Sequence, residues 1–278
     1  MTGGPSWRVA IVTRVPPVLE GFHALLREKG HEPVALLTVR HRLADSVGPL
    51  AAAAPPDLDI LVASSRARIA PLLESVRPDL VVCMGFPWKV PRDALAVPRL
   101  GWLNGHPSLL PRHRGPIPVA WAIRDGDATT GVTFHRMDAE LDTGPVLAQT
   151  EFPLGEYEPP DVFFPRMGEV VGATLAEALD RLAAGEEGTP QAAGGEYQGF
   201  FGSEDVRLDL SRPALENHRL VWAWRYAIAA PGAETGALLE LDGEPVRVLA
   251  SSLEEREGAR RVECADGPLW LLETEPAA

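Results

Sequence analysis

Three short apolar runs constrain this chain more than any other feature: RVAIVT (residues 8–13), PVALLTV (33–39) and DLVVCMG (79–85). None alternates polar with apolar, so each reads as a strand buried on both faces, the pattern of a parallel sheet covered by helices. Between the first two runs Val18, Leu19, Phe22, Leu25 and Leu26 recur at helical spacing, and Gly30 follows as a stop. Strand, helix and strand in that order predict an α/β domain. The turn RVPPVLEG (14–21) lacks G-x-G-x-x-G, so the phosphate cradle of a dinucleotide-binding fold is absent.

The rest of the chain extends this pattern. Residues 40–56 read as loop, LDILVAS (58–64) as a short strand, and ARIAPLLESV (67–76) as a helix interrupted by Pro71. FPWKVPRDALAVPRL (86–100) is a proline-punctuated loop with one helical turn, and GWLNGH (101–106) is another strand. PIPVAWAIRDG (116–126) reads as a helix opened by Pro116 and Pro118. TTGVTFHRMD (129–138) and PVLAQTEFPL (145–154) are strands joined through AELDTG. Residues 161–185 form an amphipathic helix with Phe164, Met167, Val171, Leu175, Leu179 and Leu182 on one face. GEEGTPQAAGGEYQG (185–199) reads as a polar linker. Beyond it, a helix near PALENHRLVWAW (213–224) precedes short strands split at Asp242-Gly243 and Asp266-Gly267. With 278 residues, the chain suits a catalytic domain over 1–188 and a small mostly-β domain over 198–278, the aromatics Trp222, Trp224 and Tyr226 lying in its core.

Charge and composition narrow the function classes. The net charge is −13, a field of the wrong sign for nucleic acid, relieved by small basic islands at 40–43, 65–68 and 111–115. Lysine occurs only at Lys29 and Lys89, which argues against Schiff-base chemistry. The two cysteines, Cys83 and Cys264, have no metal-ligand spacing with histidine, and Cys83 reads as a buried hydrophobe, so no metal is expected. No apolar stretch reaches 18 residues, and the N-terminal run reads as a first strand and not a signal peptide. The expected location is cytoplasmic.

Asn104 and His106 stand two apart at the carboxyl end of a strand, where ligands bind in open α/β sheets. Residues two apart on a strand point to one face, so both side chains aim at one place. Asp142 lies in the turn AELDTG. Each has an ordinary alternative: a turn-capping Asn, a structural His, an Asp forming a turn.

The stretch LNGHPSLLPRHRGPIPVAWAIRDGDATTGVTFHRMDAELDTGPVLAQ (103–149) closely resembles the signature region of the folate-dependent formyltransferases. Asn-x-His, Ser-Leu-Leu-Pro-x-x-Arg-Gly and Leu-Asp-Thr-Gly occur in that family's order and spacing, and 204–224 with 241–248 resembles the C-terminal domain of its methionyl-tRNA enzyme. The resemblance implies a Rossmann-like parallel sheet followed by an OB-like domain, with Asn104, His106 and Asp142 catalytic and 10-formyltetrahydrofolate as co-substrate. It implies a pterin site lined by Met84, Gly85, Phe86, Pro87, Trp88 and Val90 and by Asp138 and Glu140. The first of these loops, GFPWKVP, departs from the family pattern, and Trp88 either roofs the pterin or packs beneath the loop. Arg112 and Arg114 would hold an anionic acceptor or the folate tail, or else make ion pairs within the fold. His113 and His135 are acceptor-pocket or structural residues. The acidic charge, the lack of a basic insertion after the second strand and the chain length favour a small-molecule amine over tRNA as acceptor. The alternatives are the tRNA enzyme, a 10-formyltetrahydrofolate hydrolase and a non-catalytic folate-binding module. The sequence leaves the oligomeric state open.

Overall fold

The computed structural model describes residues 5–40, 47–154, 158–227 and 236–277. The basic island at 40–43 lies, beyond Arg40, outside the described residues. Strands β1 (Arg8–Val12), β2 (Glu32–Val39), β3 (Asp59–Ala63), β4 (Leu80–Cys83), β5 (Trp102–His106), β6 (Thr129–Arg136) and β7 (Val146–Pro153) form a seven-stranded sheet in the order β3-β2-β1-β4-β5-β6-β7. The pairs from β3 through β5 are parallel, while β6 runs antiparallel to β5. The sheet is therefore mixed at one side. Strand order reverses between β1 and β4, so the carboxyl ends there open a crevice of the kind that binds ligands in α/β sheets.

The helices are α1 (Pro16–Glu28), α2 (Gly48–Ala53), α3 (Ile69–Val76), α4 (Arg92–Leu95), α5 (Pro118–Asp125), α6 (Pro160–Ala183) and α7 (Ala214–Tyr226). The helix α2 falls in a segment expected to be loop; its Pro49 sits in the first turn and an alanine run carries it, both compatible with a short helix. On α1, Leu19, Phe22 and Leu26 are buried, and Gly30 takes the left-handed conformation just past the helix end. The sheet face carrying Ala10, Val12, Leu37, Val39, Val81 and Cys83 packs against Ile69, Ala70 and Leu73 of the α3 segment. On α6 the buried aromatic is Phe163, not Phe164, which stays 39% exposed. The helical phase that buries Met167, Val171, Ala178 and Leu182 runs back to residue 163, where the ring meets Phe152 and Tyr226 edge-on.

The chain divides into two compact units. One comprises Met1–Pro111, Gly131–Glu151 and Pro165–Gly194, the other Arg112–Thr130, Phe152–Phe164 and Gly195–Ala278. In the second, β8 (Ala237–Leu241), β9 (Glu244–Ser252), β10 (Arg260–Cys264) and β11 (Gly267–Pro276) form an antiparallel sheet in the order β10-β11-β9-β8. Asp242 and Gly243, both at positive φ, make the two-residue turn of the β8–β9 hairpin. Cys264 pairs with Gly267, so the next hairpin turns at Ala265-Asp266, one residue earlier than the Asp-Gly dipeptide suggests. Helix α7 packs on β9 and α5, with Trp222, Trp224 and Tyr226 buried.

Candidate active site

Strand β5 ends in Asn104-Gly105-His106. Gly105 faces away from its two neighbours, onto the ring of its cross-strand partner Phe134, where an added Cβ would stand 2.8 Å from the ring edge. Asn104 and His106 share the opposite face. Asp142 reaches the same place from the β6–β7 turn, its Oδ1 3.7 Å from His106 Nδ1 and 3.9 Å from His135 Nε2. These separations exceed hydrogen-bond length, and catalytic contacts in unliganded sites often tighten only around substrate. His106 and Asp142 are nearly enclosed, at 6% and 14% side-chain exposure. Charges so enclosed by protein are screened less than in bulk water.

The turn that delivers Asp142 is held from several directions. Asp142 takes φ 58°, a left-handed conformation that Asp tolerates. Asp138 Oδ1 accepts the Glu140 N–H at 3.0 Å and the Thr143 hydroxyl at 2.7 Å. Gln191 donates its amide Nε2 to the carbonyls of Asp142 at 2.9 Å and Gly144 at 2.8 Å. The segment around Gln191, expected to be linker, is thus a strap on the site, fastened further by the Thr189–Val146 backbone pairing. Its sequence, GTPQAAG over 188–194, mixes Gly, Pro, Ala and two polar residues, and no local signal reveals a long-range amide clamp.

His135 lies directly opposite Asn104 in the β5–β6 pairing. Its Nε2 is 3.1 Å from Asn104 Nδ2, its Nδ1 2.9 Å from the Arg136 carbonyl oxygen, and its side chain only 2% exposed. Burial pushes His135 down to about 4, an effect that Asp142 opposes and His106 reinforces. Cys83, paired in register with Asn104, is buried, and burial together with Asp142 pushes its thiol up, which leaves it inert. Ser108 is fully buried, and its carbonyl accepts from the Thr133 hydroxyl.

The loop after β4 begins with Met84 N–H donating to the Val12 carbonyl and with Gly85 at φ 69°. Met84 and Val90 are buried, Gly85 and Pro87 exposed. Phe86 and Trp88 meet edge-on at 6.0 Å, both partly buried against the α3-side core. Lys89 pairs with Glu140 at 3.0 Å, linking this loop to the Asp142 turn through two well-exposed charges whose pairing is worth little energy.

Arg112, His113 and Arg114 belong to the second unit and have structural partners there. Asp127 accepts from Arg112 at 2.6 Å and faces His113 Nε2 at 2.8 Å. His113 Nδ1 meets Gln198 Oε1 at 2.8 Å, and Arg114 donates to the Gly195 carbonyl at 3.1 Å. Among the described residues, no group of His, Cys, Asp and Glu side chains could hold a metal ion, and no helix is long and apolar enough to cross a membrane.

A mixed α/β sheet with an Asn-His-Asp cluster at its carboxyl ends defines a class that comparison with known proteins identifies. Residues 13–177 match the Formyl transferase family model, and the chain belongs to that family. A methionyl-tRNA formyltransferase of Pseudomonas fluorescens is 38% identical over 189 residues, covering 67% of this chain and 57% of that protein. The chain therefore spans less than two thirds of that curated relative. Two solved structures share the fold at 20% identity. HypX from Aquifex aeolicus in complex with tetrahydrofolic acid has a TM-score of 0.70, covering 99% of this chain and 45% of its own. A sugar N-formyltransferase from Shewanella has a TM-score of 0.67, covering 89% of this chain and 99% of its own.

Proposed function

We propose that this chain transfers the formyl group of 10-formyltetrahydrofolate to a primary amine. The observation that carries the reading is the convergence of Asn104, His106 and Asp142 on one side of the β5 end, with His106 and Asp142 3.7 Å apart. The folate donor supplies an activated formyl carbon. Asn104 donates an amide N–H toward the formyl oxygen, where negative charge gathers as the amine adds, and His106 donates a ring N–H to the same oxygen. One such donor is typically worth about 3 kcal/mol of barrier. Asp142 orients the His106 ring and takes part in moving the amine's proton to the departing N10 of tetrahydrofolate as the formyl C–N10 bond breaks. In this reading Met84, Gly85, Phe86, Pro87, Trp88 and Val90 hold the pterin from one side, Asp138 and Glu140 from the other.

Two observations pull apart on the acceptor. The 38% identity to a methionyl-tRNA formyltransferase favours methionyl-tRNA, and it outweighs the composition argument. The net charge of −13 favours a small amine such as an amino sugar or an amino-acid derivative, because phosphate contacts dominate tRNA affinity. The deciding experiment offers the protein 10-formyltetrahydrofolate with charged initiator tRNA or with a panel of small amines, and follows formylated product and free formate. Product on tRNA selects the first acceptor, product on one amine the second, and formate without any amine selects hydrolysis. His106→Ala and Asp142→Ala are expected to abolish turnover while the folate still binds. Near-normal rates in both would sink the catalytic assignment.

A further inference from the structure

The site contains a histidine that this mechanism does not use. His135 does not stand free in an acceptor pocket. It is wedged between a backbone carbonyl and the amide of Asn104. A carbonyl oxygen only accepts, so the ring nitrogen 2.9 Å from the Arg136 carbonyl, Nδ1, carries a hydrogen. In a neutral ring the other nitrogen then bears a lone pair. That nitrogen, Nε2, lies 3.1 Å from the Asn104 amide. The Asn104 oxygen would repel it, whereas the amide N–H binds it.

We infer that His135 is a positioning residue: as the neutral Nδ1–H tautomer it accepts one N–H of Asn104 and thereby fixes which end of that amide faces the reacting centre. An Asn side chain free to flip would present its carbonyl oxygen to the formyl oxygen about as readily as its N–H, and lone pair would meet lone pair. With one N–H engaged by His135, the second remains as donor. The inference rests on the proposed formyl transfer and deepens it.

The surroundings hold the tautomer in place. The groups that face His135 are Asp142, at 3.9 Å from Nε2, His106 and Asp138. Asp142 favours the imidazolium and burial opposes it, with burial the larger effect. Register holds the pair, because Asn104 and His135 are direct cross-strand partners. Backbone packing holds the acceptor, because Gly144 lies against the same Arg136 carbonyl, where an added Cβ would come within 1.8 Å of its oxygen.

The test has two parts. Nitrogen-15 spectra of histidine-labelled protein at neutral pH, without substrate, are assigned by loss of the signal in His135→Phe or His135→Gln. The expected pattern for His135 is a protonated Nδ1 and an unprotonated Nε2. An Nε2–H tautomer or an imidazolium would overturn the inference, and this reading needs no activity. In the transfer assay His135→Phe, which keeps a ring but no acceptor, should lower kcat on the order of a hundredfold with the donor KM within about twofold. His135→Gln, which restores an acceptor, should recover to within about tenfold of wild type. Equal kcat in the Gln and Phe variants would also overturn it. If His135→Phe fails to fold, the spectra and the Gln variant against wild type decide, with a loss in His135→Gln as large as that in Asn104→Ala counting against the inference. Absence of formyl transfer in wild type would overturn the proposed function instead, and the spectra would still report the tautomer.

Discussion

At the scale of single residues, Gly144 shows how the site depends on backbone contact. Its Cα hydrogens lie where a methyl group would press on the Arg136 carbonyl, 1.8 Å from the oxygen and 2.9 Å from the carbon. The obstacle is backbone at the end of β6, an interior strand of the sheet, which cannot turn aside as a side chain would. Gly144→Ala should therefore cost about 1–3 kcal/mol of stability, as overpacking does, and should lower kcat because the displaced carbonyl is the one His135 binds. Urea midpoints and single-turnover rates for the variant check this, and unchanged values of both would show that the turn yields without consequence. The Asn104–His106 pair was legible in the sequence because a strand's period of two puts both on one face. The bond between Asn104 and His135 was not, since the register joining the 102–106 and 129–136 strands is set by a connection whose length carries no pairing signal. Gly144 could be read as a turn former, but its contact with Arg136 exists only in three dimensions.

At the scale of elements, the turn 138–144 depends on a few identifiable side-chain hydrogen bonds. Two of its carbonyls depend on one side chain, Gln191, and its start depends on Asp138. Hydrogen bonds of this kind contribute about 1 kcal/mol each, so removing both Gln191 bonds loosens the turn by about 2 kcal/mol, which sets an upper bound of roughly thirtyfold on the change in rate. Gln191→Ala is expected to lower kcat about tenfold, to speed amide hydrogen exchange in residues 138–144, and to leave the rest of the sheet unaffected. Exchange that stays slow in that turn would mean Asp138 and Thr143 suffice to hold it. Helix positions in this unit followed from apolar periodicity and the buried strands from unbroken apolar runs, because burial in an α/β sheet imposes both. The short helix at 48–53 and the strap at 188–194 did not, because neither has an apolar face long enough to carry a period.

At the scale of the whole molecule, charge and buried histidines compete as pH falls. The chain carries −13 at neutral pH and has a sequence pI near 5.0, so acidification relieves general repulsion. That relief acts between exposed charges and is screened by salt. Against it stand buried imidazoles in both units. In the first unit His135 and His31 are pushed below the ordinary histidine value, chiefly by burial. In the second unit burial pushes His218 down to about 4, with Arg219 adding to it, and the ring faces Ser251 Oγ at 2.8 Å. Because these rings bind protons less readily in the folded state, the unfolded chain protonates first. The stability they contribute is whole above the unfolded value of 6.5 and is lost as pH falls toward their lowered folded values, about 4 for His135 and His218. For His218 alone that shift corresponds to about 3 kcal/mol over the window. Desolvation of a buried ring is not screened, so it prevails over the diffuse repulsion. Unfolding free energy in urea should fall from pH 7 to pH 5 although the net charge approaches zero, and the fall should persist in high salt. His218→Gln, which keeps a polar group for Ser251 and cannot gain charge, should flatten the curve. A stability maximum near pH 5, or an unchanged slope in that variant, would mean that surface charge governs this molecule and its buried histidines do not.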